Sequence, residues 1–358
     1  MKSPSIFLSL VAVVTLTFGF STSSVQGQCA ADVNDDHIVN GLDLASLLSA
    51  WGTSGVPGGT DVNSDGSVDG LDLTFVLSGW GVCPGLTWAT VLEWAPDAAV
   101  VTNTTMRNAI TASGLPWRVR DNSANIEMLL VPAGTFTMGC SASSSHGCFS
   151  AESPTHQVTL ANAFYIGRYE VTQAQWSAKM GSNPSYFSGY PDSPSRPVEN
   201  VSWNMIASGS TSFMSLTGLR LPTEAEWEYA YRAGTTTAFH SFPGYSSGTN
   251  DDSLLGNIAW YTANSGGQTH AVGGKFANAL GLHDMSGNVY EWCQDWYGDT
   301  YYTSSPLTNP TGPATGSSRL LRGGIWIYNS GDSRASRRNS GSPSSVTYVS
   351  GFRVVRNP

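Results

Sequence analysis

Two copies of an aspartate-rich loop constrain this chain more than any other feature. They begin at Asp32 and Asp61, 29 residues apart, and each is followed by a matching apolar run that ends in Trp-Gly. Oxygen-bearing residues recur at loop positions 1, 3, 5, 9 and 12, and position 7 offers a backbone carbonyl. A hard cation such as Ca²⁺ takes six to eight oxygen ligands from a tightly wrapped backbone. The repeat therefore predicts two calcium sites.

The predicted ligands have the same register in both copies. They are Asp32, Asn34, Asp36, Ile38, Asn40 and Asp43 in the first loop, and Asp61, Asn63, Asp65, Ser67, Asp69 and Asp72 in the second. Position 6 usually requires Gly because its φ is positive. His37 stands there in the first loop, which predicts weaker calcium binding at that site.

Each loop is followed by a single amphipathic helix. Apolar residues recur at helical spacing over residues 42–51 and 71–80, so the two helices are expected to bury a small shared core. Asp at position 12 and one helix per loop resemble the dockerin module, here over residues 29–83. Dockerins bind cohesin modules, so the resemblance implies a cohesin-like protein partner. A module that uses calcium only to fold is the alternative.

The acidity of the chain is concentrated in that module. Residues 29–83 contain eight Asp and no Lys or Arg, in a chain whose formal net charge is −9. This distribution favours cation binding. It argues against nucleic acid as a partner, because nucleic-acid binding needs a basic face.

The first 27 residues have the pattern of a secretory signal peptide. Lys2 precedes an apolar stretch over residues 6–20, and small residues flank a cleavage site near Gly27. The stretch is short for a membrane span, and Gln28 before Cys29 does not suit a lipoprotein signal. We expect a secreted, bacterial-type extracellular protein with no membrane span after signal cleavage. Association with the cell surface stays open.

Export makes the five cysteines candidates for disulfides. Cys29 and Cys83 bracket the acidic module, Cys140 and Cys148 share a Ser/Gly-rich loop, and Cys293 is left over. We expect pairing within the first two sets and a buried thiol at Cys293. Spacing alone does not prove these pairings.

The remaining chain divides into a linker and a larger domain. Residues 84–116 contain Thr and Asn clusters with one weak helical stretch and are predicted to be a linker with some local structure. From residue 117, the patterns predict strands over 126–136, 156–160 and 163–169. Thr172 and Thr223 each begin a capping box, and the second of these helices is expected to end at Gly234.

Ordered motifs across residues 117–358 resemble one family. They are VPAGTFTMG at 131–139, YEVT at 169–172, RPV at 196–198, LRLPTEAEWEYA at 219–230, GLHDMSGNVYEW at 281–292, LRGG at 321–324 and GFR at 351–353. Together they are similar to the formylglycine-generating (sulfatase-modifying factor) family. The resemblance implies an α+β, loop-rich, C-type-lectin-like fold, preceded here by a small all-α dockerin-like module.

Active members of that family oxidise a substrate cysteine to formylglycine, using copper(I) held by two thiolates. Soft sulfur ligands select copper(I), and in the family both cysteines follow the Arg-Gly-Gly motif. The aligned positions here are Tyr328 and Ser333, which supply no thiolate. The family's catalytic residues therefore do not carry over, and copper is not an expected cofactor.

The family also carries structural calcium, and those positions match better. The resemblance places one site at Asp284, Gly287, Val289 and Glu291, partly through backbone carbonyls. It places another at Asn257, Ile258, Asn264 and Gly266. Asn264 replaces a carboxylate in the latter, and the alternative for Glu291 is a buried acid paired with an arginine.

Three functions are compatible with the sequence. The first is a secreted calcium-binding protein whose non-catalytic C-terminal domain binds an unknown ligand or has a structural role, tethered through the dockerin-like module. The second is a divergent enzyme of the formylglycine-generating (oxidoreductase) family. The third is an extracellular assembly component held by calcium-dependent docking. The missing thiolates favour a non-catalytic function.

Overall fold

The computed structural model describes residues 31–33, 38–55, 59–63, 65–82, 86–140 and 147–358. The predicted signal peptide, Cys29 and Cys83 lie outside these residues, as do Asn34, Asp36 and His37 of the first loop. Their predicted roles stay predictions. In the described part of the chain, no helix is long and apolar enough to cross a membrane.

Loop residues begin both helices of the N-terminal module. Helix α1 spans Gly41–Ser49 and α2 spans Gly70–Ser78, and the short strands β1 (Ile38–Val39) and β2 (Gly81–Val82) pair antiparallel. Asn40 and Asp43 form a capping box at the start of α1, and Asp69 and Asp72 form the same box at α2. Loop positions 9 and 12 therefore satisfy free N–H groups of the first turn and couple loop geometry to helix formation.

The core of this module is smaller than the helical pattern predicts. Its buried apolar residues are Ala31, Val39, Leu47, Val62, Val68 and Val76. Leu47 and Val76 face the core as expected, but most of the other predicted helix residues do not. The exposed ones are Leu42, Leu48, Trp51, Leu71, Leu77 and Trp80. The loop valines fill the space between the helices instead, and an apolar surface stays accessible on both.

Fifteen strands and seven helices are defined in the described residues, counting those above. In chain order the rest are β3 (Ala89–Glu93), α3 (Thr104–Ala112), β4 (Arg118–Asp121), β5 (Glu127–Val131), β6 (Gly134–Met138), β7 (His156–Leu160), β8 (Phe164–Gly167), α4 (Gln173–Met180), α5 (Trp203–Ala207), α6 (Phe213–Thr217), α7 (Glu224–Arg232), β9 (Ala259–Trp260), β10 (Ser286–Gly287), β11 (Tyr290–Trp296), β12 (Arg319–Arg322), β13 (Asn339–Gly341), β14 (Ser350–Gly351) and β15 (Val355–Arg356).

Two sheets organise the C-terminal domain. The five-stranded sheet has the order β15-β8-β5-β4-β3, and its neighbouring strands pair antiparallel. The four-stranded sheet has the order β13-β12-β11-β14, with β14 parallel to β11. Residues 128–131 of the central strand β5 are buried, as are eight of the nine residues of α7. The predicted α+β, loop-rich fold is confirmed.

The linker predicted over 84–116 is wrong for the described residues 86–116. Strand β3 pairs with β4 and forms an edge of the five-stranded sheet. Helix α3 buries Met106 and Ile110 in the main core, together with Val101. Burial of this apolar face explains why a segment of modest helix propensity is helical here.

Both predicted capping boxes are present, at Thr172 and Thr223. The second helix, α7, ends at Arg232 rather than at Gly234, because Ala233 already adopts the left-handed conformation with φ of 46°. Gly234 follows with φ of 91°. The positive-φ turn therefore starts one residue earlier than the glycine suggested.

Replacing Thr223 with Ala is expected to lower the free energy of unfolding of the C-terminal domain by about 1 kcal/mol. The Thr223 hydroxyl accepts from the backbone N–H of Glu226 at 3.2 Å, and alanine leaves that donor without its cap. Chemical denaturation of the full chain measures the change. Thr223→Ser keeps the oxygen and is the matched control, so equal losses in both variants would contradict the capping role.

Candidate functional site

The two positions aligned with the family's copper-binding cysteines differ in accessibility. Tyr328 is 46% exposed, whereas Ser333 is fully buried. The Ser333 hydroxyl has no hydrogen-bond partner in the described structure, and its Oγ would lie 2.7 Å from a Cβ on Gly324. Neither side chain is a soft ligand, so the residues present do not fit copper(I).

The other cysteines of the C-terminal domain do not replace that pair. Cys140 and Cys148 form a disulfide, as predicted. Cys293 is a buried free thiol, also as predicted, and burial raises its pKa well above the ordinary value. A buried neutral thiol is a poor metal ligand, because the thiolate is the binding form.

A connected set of aromatic rings includes Trp326, which lies two residues before Tyr328 in the chain. We call this set the aromatic surface and define it as Tyr186, Phe187, Tyr190, Trp326 and Tyr348. Its ring centroids are 5.6 Å apart for Tyr186 and Tyr348, 6.0 Å for Tyr348 and Trp326, 5.4 Å for Trp326 and Phe187, and 6.1 Å for Phe187 and Tyr190. Three separate segments of the chain thus meet in one ring cluster.

The tyrosines of the aromatic surface are open to solvent. Tyr186 is 69% exposed and Tyr348 is 46% exposed, while Phe187 and Trp326 are buried beneath them. The Nε1 of Trp326 is buried and has no hydrogen-bond partner among the described residues. Exposed rings on a rigid buried base form a surface that can pack against a ligand.

Buried polar contacts hold the aromatic surface in place. Glu199 accepts from the backbone N–H groups of Tyr186 at 3.0 Å and Phe187 at 2.9 Å. Burial raises the pKa of Glu199, although these two bonds oppose the rise. The guanidinium of Arg196 stacks on Tyr190 at 4.0 Å and pairs with Asp192 at 2.8 Å. Among the described residues, Arg196 is the cation that stacks on this surface, and Asp192 already neutralises it.

Three buried carboxylates lie at or near the predicted calcium site of the 281–292 motif, namely those of Glu170, Asp284 and Glu291. Glu291 is paired through both oxygens with Arg353, at 2.6 and 2.7 Å, and its Oε2 also accepts from Trp227. The alternative role predicted for Glu291, an acid paired with arginine, is thus present. Glu170 accepts from the side chain of Asn288 at 2.7 Å and from the backbone N–H of Val289 at 3.2 Å.

Asp284 is the predicted ligand with a free oxygen. Its Oδ2 accepts from the N–H of Gly273 at 2.6 Å, and its buried Oδ1 has no partner in the described structure. Burial raises the pKa of Asp284 to about 6. Burial also raises the pKa of Glu170 well above its ordinary value, and the Asp284 and Glu291 carboxylates add to that rise. Excess buried negative charge with an unpaired oxygen fits a hard cation.

The carboxylates alone do not complete a calcium site there. Among the described residues, no three His, Cys, Asp or Glu side chains converge as a metal cluster. Backbone carbonyls, such as those predicted at Gly287 and Val289, would have to supply the remaining oxygens. Calcium at this position stays a prediction.

In calcium-free buffer at pH 7, Asp284→Asn is expected to raise the free energy of unfolding by about 2–3 kcal/mol. A carboxyl whose folded-state pKa is raised destabilises the fold when ionised. This penalty shrinks as pH falls below about 6 and is lost near the ordinary pKa of 3.8. Thermal unfolding at pH 7 and pH 4 measures it, and the two proteins should nearly converge at pH 4. Added calcium should stabilise the wild type more than the variant. Equal stability at pH 7 without calcium would contradict the charge argument.

The second predicted set, Asn257, Ile258, Asn264 and Gly266, forms a turn. Asn264 accepts from the N–H of Tyr261 and donates to the carbonyl of Ala259, both at 2.9 Å. The carbonyl of Asn257 accepts from Phe276 at 3.0 Å, and Ile258 is buried. The Asn264 amide therefore stabilises the turn itself. Calcium binding by this set stays a prediction, which a calcium titration can test.

The second loop of the N-terminal module has the backbone wrap that a calcium loop needs. Asp61 accepts from the N–H groups of Asp65 at 3.1 Å and Gly66 at 3.0 Å, and Asp65 accepts from that of Ser67 at 3.0 Å. Gly66 has φ of +92°. A carboxylate has about four lone-pair sites, so these bonds leave oxygen capacity for a cation.

The last ligand of that loop is buried as well as shared with a helix. Asp72 accepts from the backbone N–H groups of Asn63 at 3.1 Å and Asp69 at 2.9 Å. Burial acts to raise the pKa of Asp72, but these backbone donors outweigh it and lower the pKa below its ordinary value. The carboxylate is therefore ionised at neutral pH, as calcium binding requires.

Comparison with known protein families decides the identity of the larger domain. The sulfatase-modifying factor enzyme 1-like domain matches residues 115–358. The chain belongs to the sulfatase-modifying factor family. A dockerin type I domain matches residues 30–78, so this family member carries a dockerin in front of its larger domain.

Relatives of this sulfatase-modifying factor domain have names that refer to different activities. The formylglycine-generating enzyme of Streptomyces coelicolor is 36% identical over 182 residues, covering 46% of this chain and 54% of that enzyme. The serine/threonine-protein kinase pkn1 of Chlamydia caviae is 32% identical, covering 64% of this chain but only 38% of the kinase. The chain thus spans about half or less of the length of these two relatives.

Two solved structures are similar in both sequence and fold. The Treponema denticola variable protein 1 is 33% identical with a TM-score of 0.57, covering 65% of this chain and 95% of that protein. PvdO from Pseudomonas aeruginosa is 30% identical with the same TM-score, covering 67% and 98%. The sulfatase-modifying factor domain therefore accounts for almost the whole of both structures.

Sequence reasoning missed several residues of the site. Glu170 and Arg353 lie in the YEVT and GFR motifs, so their positions were visible, but their contacts with the 281–292 motif were not. The aromatic surface left a weaker signal, namely the 12 Trp and 14 Tyr of the whole chain, which do not show where a surface would form. Its members are up to 162 residues apart in the chain, from Tyr186 to Tyr348.

Proposed function

We propose that this protein is a secreted, calcium-dependent docking protein whose sulfatase-modifying factor domain binds a ligand and does not oxidise cysteine. The observation that carries the proposal is the aromatic surface. One of its members, Trp326, lies two residues before Tyr328, the position at which active members of the family have a copper-binding cysteine. The exposed rings of this surface can stack on a ligand, and Arg196 beside them is already paired with Asp192. Tyr328 and Ser333 cannot supply the two thiolates of the oxidation chemistry.

The N-terminal module supports the docking part of the proposal. Dockerin domains bind cohesins, and an apolar surface remains accessible on both helices here. Leu42 and Leu71 occupy equivalent positions in the two repeats and are 62% and 59% exposed. A cohesin-like partner would cover such side chains, and the capping boxes tie their helices to the calcium loops.

A divergent oxidase is the second candidate, because the chain is 36% identical to a formylglycine-generating enzyme over 182 residues. The deciding assay incubates the copper(I)-treated full chain with a cysteine-containing peptide in oxygenated buffer and measures conversion of the cysteine by mass spectrometry. We expect no copper-dependent conversion. Conversion that is lost on adding a copper(I) chelator would overturn the non-catalytic proposal.

Ligand binding is tested by screening the full chain on glycan and peptide arrays, followed by titration of any hit. Tyr186→Ala combined with Tyr348→Ala is expected to weaken binding by at least tenfold, since the stacking or apolar contacts that a ligand makes with each exposed ring contribute about 1 kcal/mol. Tyr245→Ala is the matched control, because Tyr245 is exposed to a similar degree outside the aromatic surface. Equal loss in the control would sink the assignment of this surface.

A further inference from the structure

A second concave site lies away from the aromatic surface. It has a volume of about 700 Å³ and is formed by three parts of the chain. Residues 99–102 form one wall, residues 241–246 another, and residues 276–279 the third, with Arg168 at its side. This volume is within the range of small-molecule sites in proteins.

The first wall of this pocket lies outside the residues that match the family domain. The sulfatase-modifying factor match begins at residue 115, so Ala99, Val100 and Thr102 precede it. They lie between β3 and α3 in the chain, and their neighbour Val101 is buried in the main core. The pocket is therefore not a feature that the family match alone implies.

The interior of the pocket is mainly apolar and includes one unsatisfied hydroxyl. Phe242, Pro243, Phe276 and Ala279 supply apolar surface. Ser241 also lines the pocket, is only 2% exposed, and its hydroxyl has no hydrogen-bond partner in the described structure. A buried polar group without a partner is costly, so a ligand oxygen placed there would be stabilised.

The pocket has one charged lining residue among those described, Arg168. Its Nη1 donates to Glu127 at 2.6 Å and its Nε donates to the carbonyl of Gly281 at 3.3 Å. Its Nη2 makes no hydrogen bond within the described residues, and the side chain is 18% exposed. Glu127 pairs with this guanidinium, but the free Nη2 can still donate to a carboxylate, whereas it offers no acceptor to an amine.

We propose that this pocket binds a small amphipathic carboxylic acid. The apolar body packs against Phe242 and Phe276, and the polar head is held by the Ser241 hydroxyl and the Arg168 guanidinium. The site is independent of the aromatic surface, so it stands whether or not the proposed ligand-binding function holds.

The test is calorimetric titration of the full chain with octanoate, and with octanol and octylamine as neutral and cationic analogues. We expect saturable octanoate binding that exceeds octanol binding by about tenfold and no detectable octylamine binding. Absence of saturable octanoate binding up to millimolar concentrations would overturn the proposal. Equal binding of octylamine would also overturn it.

Variants locate the binding. Ala277→Trp fills the pocket from its partly exposed rim and should abolish octanoate binding. Ser241→Ala should weaken it about tenfold by removing one hydrogen bond. Ser247→Ala is the matched control, since Ser247 is exposed and does not line the pocket. Octanoate binding that survives Ala277→Trp would place the ligand elsewhere and refute the site.

Folding of the variants is checked independently. Thermal unfolding of Ala277→Trp should match the wild type, because the new ring enters existing space. If that variant fails to fold, Ala99→Trp fills the same pocket from an exposed position on the opposite wall. Wild-type octanoate affinity in a folded Ala99→Trp protein would contradict the proposal.

Discussion

Replacing Arg353 with Met is expected to lower the free energy of unfolding of the C-terminal domain by about 3–5 kcal/mol. Arg353 is fully buried. Besides its two bonds to Glu291, it donates to the carbonyls of Gly167 and His283, both at 3.0 Å. Its loss leaves Glu291 buried and ionisable beside Glu170 and Asp284. Chemical denaturation followed by tryptophan fluorescence measures the change.

Two comparisons separate this effect from lost packing. Arg356→Met removes a partly exposed arginine 3.7 Å from the buried Asp121. It should cost less than Arg353→Met, because Asp121 keeps the bonds that it accepts from the N–H groups of Ser123 and Ala124. The double change Arg353→Met with Glu291→Met removes both charges, and should cost less than Arg353→Met alone. A double variant less stable than the single variant would show that charge burial is not the cause.

Removing calcium is expected to unfold the N-terminal module while the C-terminal domain stays folded. Four aspartates of the second loop, Asp61, Asp65, Asp69 and Asp72, have no Lys or Arg within residues 29–83 to balance them. The module buries only six apolar residues in its described core. Two occupied sites at 100-fold excess over Kd supply about 5 kcal/mol together, which is comparable with the whole stability of a small domain.

Calorimetry of the full chain with and without EDTA measures this loss, which should remove a separate low-temperature transition. Asp61→Ala should reproduce much of the effect in the presence of calcium. Magnesium is the matched control ion, because it demands a smaller octahedral site and should restore the transition poorly. A transition that persists unchanged in EDTA would show that the module folds without the metal.

Local patterns predicted much of the fold because their physical causes are local. The capping boxes at Thr172 and Thr223 depend on residues three positions apart, and both are present. The repeat likewise placed α1 and α2 directly after the loops. Motif resemblance supplied the larger architecture, whereas the Cys140–Cys148 disulfide was predicted from export and from the short loop that holds both residues.

Tertiary burial explains where the predictions failed. Helix α3 has Thr at both of its first two positions and weak propensity, and only the burial of Met106 and Ile110 makes it part of the domain. Leu42 and Leu71 follow a helical apolar pattern, yet valines of the loops occupy the core they were expected to fill. Arg353 meets Glu291 across 62 positions, and Glu170 meets Asn288 and Val289 across 118 and 119 positions. Periodicity does not encode contacts over such separations.

The placement of β3 limits how far the two halves of the chain can separate. A fully extended linker over 84–116 would allow the two halves to lie roughly 110 Å apart. In the structure only residues 83–88 lie between β2 and β3. The seven steps from Val82 to Ala89 span at most about 25 Å. A partner bound to the dockerin would therefore confine the C-terminal domain to a small volume. Within that volume, the effective concentration of the aromatic surface for a ligand on or near the partner would be high.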